Sequence, residues 1–453
     1  MTSFTDRENE ELLSYVKYLA GRRVVPIEPL ETSIKELQVP VVRKKSPLKT
    51  AAEAILLNDM FASFLSSGES GYVIAVSGGF GADGMYHIVG AGNTGKKGVR
   101  RPSDELCTAL ERACDEFILG STVPLNPDNM SAILVASLDI CHAEVARRLT
   151  RTSAGAAFMT QASSNTGTLE EWGLQLQSKF RSVVAALKDT LKRWKGLESR
   201  EKTEVATSYG RLLTFVSELW DRIKDFGSIQ SHRELTPFDE FNTIMKGLQL
   251  LRRFPRGTRV VFDWPQGPIN GDRILCQPAT WQTVVEDLIN KVTIGNRELR
   301  IEMQRMWKES VGETQWRTTI LHADSQLHCE VYLALYILFS GSNVRFHSFR
   351  VEGKKRVFTI GCSKGSCIAC WDILLGLFRQ DTRNHPKYMC RTRRSSGKCY
   401  ATWGLTRHVE TLPPSLRQAV TGLERTQMLK SLNGALKFSH QNFAQRVVSE
   451  MLR

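Results

Sequence analysis

LHCEVYLALYILF, residues 327–339, and VFTIGCSKGSCIACW, residues 357–371, enclose the stretch around which the whole chain is read. They carry an H-x-E at His328 and Glu330 and a C-x-x-C at Cys367 and Cys370, with 36 residues between the Glu and the first Cys. Zinc in a hydrolytic site takes three protein ligands of nitrogen and sulfur type and leaves one position for water. His328, Cys367 and Cys370 supply such a set. Glu330 is then a carboxylate beside the metal rather than on it, suited to take a proton from bound water and hand it to a leaving amine.

The spacings agree with those roles. Residues three apart lie one turn above each other on a helix, so Cys367 and Cys370 share a face. A helix starting near Ser366 also favours their thiolate forms through its N-terminal dipole. His328 and Glu330, two apart, sit roughly 200° round a helix and flank a metal rather than stack on it. VYLALYILF is apolar on every side, which predicts a helix buried in a domain centre. VFTIG predicts a short buried strand.

An H-x-E followed by a Cys pair resembles the signature of the cytidine-deaminase-like superfamily. More narrowly, SKGSCIAC is similar to the largely fungal nucleic acid/nucleotide deaminase domain proteins, in which a Ser-Lys segment leads into the Cys pair. Ser366 stands where the superfamily usually has proline. CRTRRSSGKCYATW, residues 390–403, also resembles that branch, and Ser396 holds the place of a His expected before its Gly-Lys. The resemblance implies an α/β fold, a three-layer α/β/α domain with a mixed sheet, here joined by a large mainly α-helical region. It implies one catalytic Zn2+ and hydrolytic loss of ammonia from a cytosine- or adenine-type base. A helix and two antiparallel strands would precede the H-x-E helix, with Asn93 near the sugar site. Further substrate contacts would come from Lys364 and Ser366, and from Arg393, Arg394, Lys398 and Tyr400 in the basic segment.

Bulk properties narrow the classes. The chain has 453 residues, 42% hydrophobic, with no apolar run of 18 and a polar, acidic start, MTSFTDRENEELL. These predict an intracellular protein of cytosol or nucleus, neither secreted nor membrane-spanning. Ten cysteines scattered through so long a chain fit a reducing compartment with thiols free for metal. Net charge is +14, and residues 341–400 hold 13 Lys and Arg against 3 Asp and Glu. Such a field predicts an anionic partner, RNA or single-stranded DNA or a phosphorylated nucleotide. Phe346, Trp371, Tyr388, Tyr400 and Trp403 interleave with these charges, as base-stacking surfaces require.

Before this stretch, Arg7 to Leu19 reads as a helix and is followed by a Pro-punctuated connector. Ala51 to Leu65 reads as an apolar helix, and YVIAVS and MYHIVGA around a Gly- and Asp-bearing loop read as a hairpin. GAGNTGKK resembles a phosphate-binding loop. That reading needs a helix to open at the glycines, whereas the next helix signal is Ser103 with Asp104 and Glu105 behind it. From Ser103 to about Gly312 the pattern is helical. Thr168 and Glu171 form a capping box, Val205 to Phe226 is amphipathic, and Pro237 stands at the first position of a further helix. RVVFDWP, residues 259–265, is a strand-like interruption.

The domains expected are 1–50, an N-terminal helix and connector; 51–98, the first helix and hairpin; 99–315, a helical insertion; 316–412, the zinc-binding core; and 413–453, C-terminal helices. Segments 51–98 and 316–412 would form one discontinuous domain. A protein partner would use the helical region or the C-terminal helices. In a competing organisation, the early strands come from the RVVFDWP region. Two other functions stand beside the enzyme. A fourth ligand from Cys329, Cys362, Cys390, Cys399 or His322 would close a structural site on a nucleic-acid-binding protein. An inactive relative would serve as an interaction module.

Overall fold

The computed structural model describes residues 47–68, 73–92, 94–95, 98–99, 101–165, 183–227, 232–264, 286, 290, 297–311, 328–339, 349–350, 356–363, 366–367, 370–371, 374 and 388–393. Helix α1 (Ala51–Phe64) starts at Thr50, whose hydroxyl accepts the Glu53 N–H at 3.2 Å. Its sequence is apolar on nearly every side because the helix is buried on nearly every side. Strands β1 (Ile74–Phe80) and β2 (Tyr86–Gly92) form the predicted hairpin, in register from Ile74↔Gly92 to Phe80↔Tyr86. Its turn places Gly84 at φ +79°, a left-handed conformation that glycine adopts freely. Asp83 completes the turn by accepting the Met85 N–H at 3.0 Å.

The glycines after the hairpin turn a small antiparallel ribbon, β3 (Thr94–Gly95) with β4 (Gly98–Val99), and open no helix. Helix α2 (Asp104–Leu119) begins where the acidic signal stands, with the Ser103 hydroxyl accepting the Leu106 N–H at 3.4 Å. The helical run continues through α3 (Pro127–Asn165), α4 (Ser199–Gly227) and α5 (His232–Leu251). One expectation is corrected here. Pro237 does not begin its helix, because α5 starts upstream at His232 and the proline sits inside its early turns. At the sixth position of α5 the proline lies past the first turn and gives up one intrahelical N–H bond, a loss the rest of the helix outweighs.

Strand β5 (Val260–Asp263) pairs in parallel with β2. After α6 (Arg297–Val311) and α7 (Cys329–Phe339), three more strands complete the sheet: β6 (Phe349–Arg350), β7 (Arg356–Cys362) and β8 (Tyr388–Thr392). The sheet is six-stranded and mixed, in the order β5-β2-β1-β7-β6, with β8 parallel to β7. β1 and β7 are neighbours, at Ala75↔Cys362 and Val76↔Gly361, although α2 to α6 lie between them in sequence.

Side-chain alternation divides the sheet between two cores. Ile74, Val76, Tyr86, Ile88, Val260 and Phe262 join α1 to α5 in the larger cluster. Ala75, Val89, Ala91, Phe358 and Ile360 face the other way and meet Cys329, Leu333 and Ile337 of α7. The fold is therefore α/β, with helices on both faces of a mixed sheet. α1 lies against the sheet so closely that a Cβ on Gly361 would stand 2.3 Å from the Asn58 carbonyl carbon. Among the described residues, no helix is long and apolar enough to cross a membrane.

Candidate metal centre

Two helix starts make the centre. His328 caps α7, its carbonyl accepting the Tyr332 N–H at 3.0 Å. Its side chain thus projects from the helix entry, at the end of the sheet where β7 leaves. Cys367 caps a second helical segment that includes residues 370, 371 and 374. Its carbonyl accepts the Trp371 N–H at 2.9 Å, and its sulfur accepts the Cys370 N–H at 3.3 Å. A serine or aspartate would make the same bond at that position.

These starts bring three ligand atoms together. The Nδ1 of His328 is 3.5 Å from the sulfur of Cys367 and 3.5 Å from that of Cys370, and all three side chains are buried. A tetrahedral ion with zinc's bond lengths, about 2.3 Å to sulfur and about 2.0–2.1 Å to nitrogen, has an S···N edge of about 3.5–3.6 Å. The residues present fit such an ion.

Electrostatics prepare the same atoms. Burial alone would lift the Cys367 thiol, but the Cys370 thiol and the His328 charge hold it well below its ordinary value. Burial likewise opposes charge on His328, yet the Cys367 thiolate and Glu330 raise its pKa. Cys370 is pushed up by burial and by the neighbouring thiolate. The pair thus favours a thiolate on Cys367 and a proton on His328, and binding a metal displaces protons. Glu330, in the first turn of α7, is 3% exposed and its pKa is raised, chiefly by burial and against the pull of His328. The Cys329 thiol donates to its carboxylate at 3.4 Å, and Cys329 otherwise belongs to the apolar cluster under α7.

Among the other sequence-predicted residues, Ser366 is buried beside Cys367, its hydroxyl 3.7 Å from the Cys362 sulfur. Arg393 turns inward to Asp239 at 2.6 Å and to the Thr243 hydroxyl. Asn93, Lys364, Arg394, Lys398 and Tyr400 lie outside the described residues, as do the helix expected at Arg7–Leu19, the capping box at Thr168, and the C-terminal helices expected over 413–453. Sequence reasoning missed the supports of the centre. Asn58 donates to the carbonyl and hydroxyl of Thr359, both at 3.0 Å, and Asp59 accepts the Cys362 N–H at 2.8 Å. A signal was present, since Asn58 and Asp59 are a polar pair in the middle of a mostly apolar helix.

Residues 327–407 match the family model described as OTT_1508_deam-like deaminase. This segment is similar to a deaminase domain. It opens one residue before His328 and contains Glu330, Cys367 and Cys370, so the deaminase-like segment carries every member of the centre. No curated protein and no solved structure matches the chain.

Proposed function

We propose that the chain is a zinc-dependent hydrolytic deaminase acting on a nucleobase of cytosine or adenine type. The observation that carries this reading is a buried His–Cys–Cys group at tetrahedral spacing with the Glu330 carboxylate buried beside it. His328, Cys367 and Cys370 would hold a zinc ion, which would supply Lewis acidity for the attack of water. Glu330 moves the protons at its carboxylate oxygens. It would take one proton from the attacking water and give it to the ring nitrogen, then take the second from the new hydroxyl and give it to the departing amine. Its raised pKa, from burial, suits it to hold each in turn. The net change replaces C–NH2 by C=O and frees ammonia.

Cys329 and Cys362, two of the five candidate fourth ligands, stand outside the His–Cys–Cys group. We read 51–98 and 316–412 as two halves of one cytidine-deaminase-like domain with 99–315 inserted. The pairing of β1 with β7 supports this. The excess of basic residues over 341–400 favours a polynucleotide, RNA or single-stranded DNA, over a free nucleotide. The described cysteines are free thiols, in keeping with the cytosol or nucleus. The test is ammonia release from single-stranded RNA, single-stranded DNA and nucleotides by wild type and Glu330→Gln. The variant is expected to lose about 10²–10⁴-fold in turnover while keeping wild-type zinc content. An E330Q protein that turns over normally would sink the assignment.

A further inference from the structure

Behind the loop that presents the Cys pair lies a buried ionic cluster that no step above uses. Arg148 of α3 is 0% exposed, with its Nε 3.2 Å from Glu144 Oε1 and 3.0 Å from Glu240 Oε2. The same guanidinium reaches the other way through Nη2, which lies 3.5 Å from the Ser63 hydroxyl and 3.5 Å from the Ser363 carbonyl. Ser363 is the point at which the chain leaves β7 for Cys367. Its N–H donates to the Ile74 carbonyl at 2.9 Å, and its hydroxyl accepts the Ile74 N–H at 3.0 Å. One residue earlier, Asp59 holds the Cys362 N–H at 2.8 Å. An anion thus takes the N–H and a cation faces the C=O at the strand exit.

A fully buried arginine is tolerated only where carboxylates and hydrogen bonds compensate it, and hydrophobic residues would fill the same space at lower cost. The direction in which this one is extended supplies a reason for keeping it. We propose that Arg148 is a positioning residue for the metal centre: through the Ser363 carbonyl it fixes the exit of β7, from which the chain runs on to Cys367 and Cys370 opposite His328. The helical region is then the back wall of the centre. The proposal rests on the metal-site reading above. Lysine would keep the charge between Glu144 and Glu240, but it lacks the fork that serves carboxylates and carbonyl together.

The experiment loads Co2+ into the full chain and times its release to excess chelator for wild type, Arg148→Lys and Trp194→Phe. Trp194 donates its indole N–H to Asp139 at 2.8 Å, so its variant loosens the same helical layer without touching the loop. R148K is expected to release cobalt about tenfold faster, with a shifted visible spectrum. W194F is expected to release it at the wild-type rate even where its melting temperature falls as far. A second variant, R148M with E240Q, removes charge and partner together and is expected to show the same acceleration. Equal release from R148K and W194F, with unshifted spectra, would reduce Arg148 to a structural role and overturn the proposal. Wild type that takes up no cobalt would overturn the metal-site reading itself, a separate and recognisable result.

Discussion

Replacing Arg393 by Met separates an interior role from a substrate-binding one. Its guanidinium bonds Asp239 at 2.6 Å and the Thr243 hydroxyl, and lies 3.9 Å from Asp59, joining α5, β8 and α1. The side chains of Arg393, Asp239 and Asp59 are 14%, 3% and 10% exposed, so water cannot replace what the substitution removes. Burial opposes the guanidinium charge, and Asp239 and Asp59 outweigh it, so the arginine's pKa is raised. Removing one partner of a buried pair costs about 3–5 kcal/mol, because the remaining charge stays uncompensated. Asp59 keeps its Cys362 N–H, which offsets part of the loss from the second carboxylate. We therefore expect about 3–5 kcal/mol of destabilisation, read as a lower urea midpoint by tryptophan fluorescence. R393M with D239L should recover at least half of it, since apolar replacement of a buried pair is near neutral. An R393M protein within about 0.5 kcal/mol of wild type but weaker in substrate binding would refute the reasoning and return Arg393 to the surface role the sequence suggests.

Other outcomes can be stated briefly. Gly361→Ala should cost at least about 1–3 kcal/mol and lower the yield of folded protein, because its Cβ would fall 2.3 Å from backbone atoms of α1. A wild-type urea midpoint would contradict that packing. Zinc affinity should fall as pH falls, because the ligands must lose protons to bind. The raised pKa values of His328 and Cys370 mean that each holds its proton to higher pH than a free side chain, so a metal must displace protons there to bind. Competition with a chromophoric chelator should then show affinity falling steadily as pH is lowered from about 8 to about 6. A flat profile would mean that the three residues are not the ligands.

How much of this was legible in the sequence follows from what each feature depends on. His328, Glu330, Cys367 and Cys370 could be read because metal chemistry constrains residue type and local spacing together. The hairpin could be read because period-2 alternation and a Gly- and Asp-bearing turn are local signals, and the same holds for Ser103 at the start of α2. Partner choice is not local. Nothing in RVVFDWP says that β5 runs parallel to β2, and nothing in VFTIG says that β7 lies against β1. Arg393 shows the same dependence, since an arginine in a basic run looks solvated until Asp239, far away in sequence, is brought beside it. Pro237 misplaced a helix start because the local preference of proline for the first turn is outweighed by the rest of α5, which begins five residues earlier at His232.

The measurement that bears most directly on the central claim is the zinc X-ray absorption spectrum of the purified chain. The account predicts one zinc per chain with two sulfurs at about 2.3 Å and two lighter nitrogen or oxygen scatterers at about 2.0–2.1 Å. Three or four sulfurs around the ion would mean a closed structural site, and the deaminase assignment would fall.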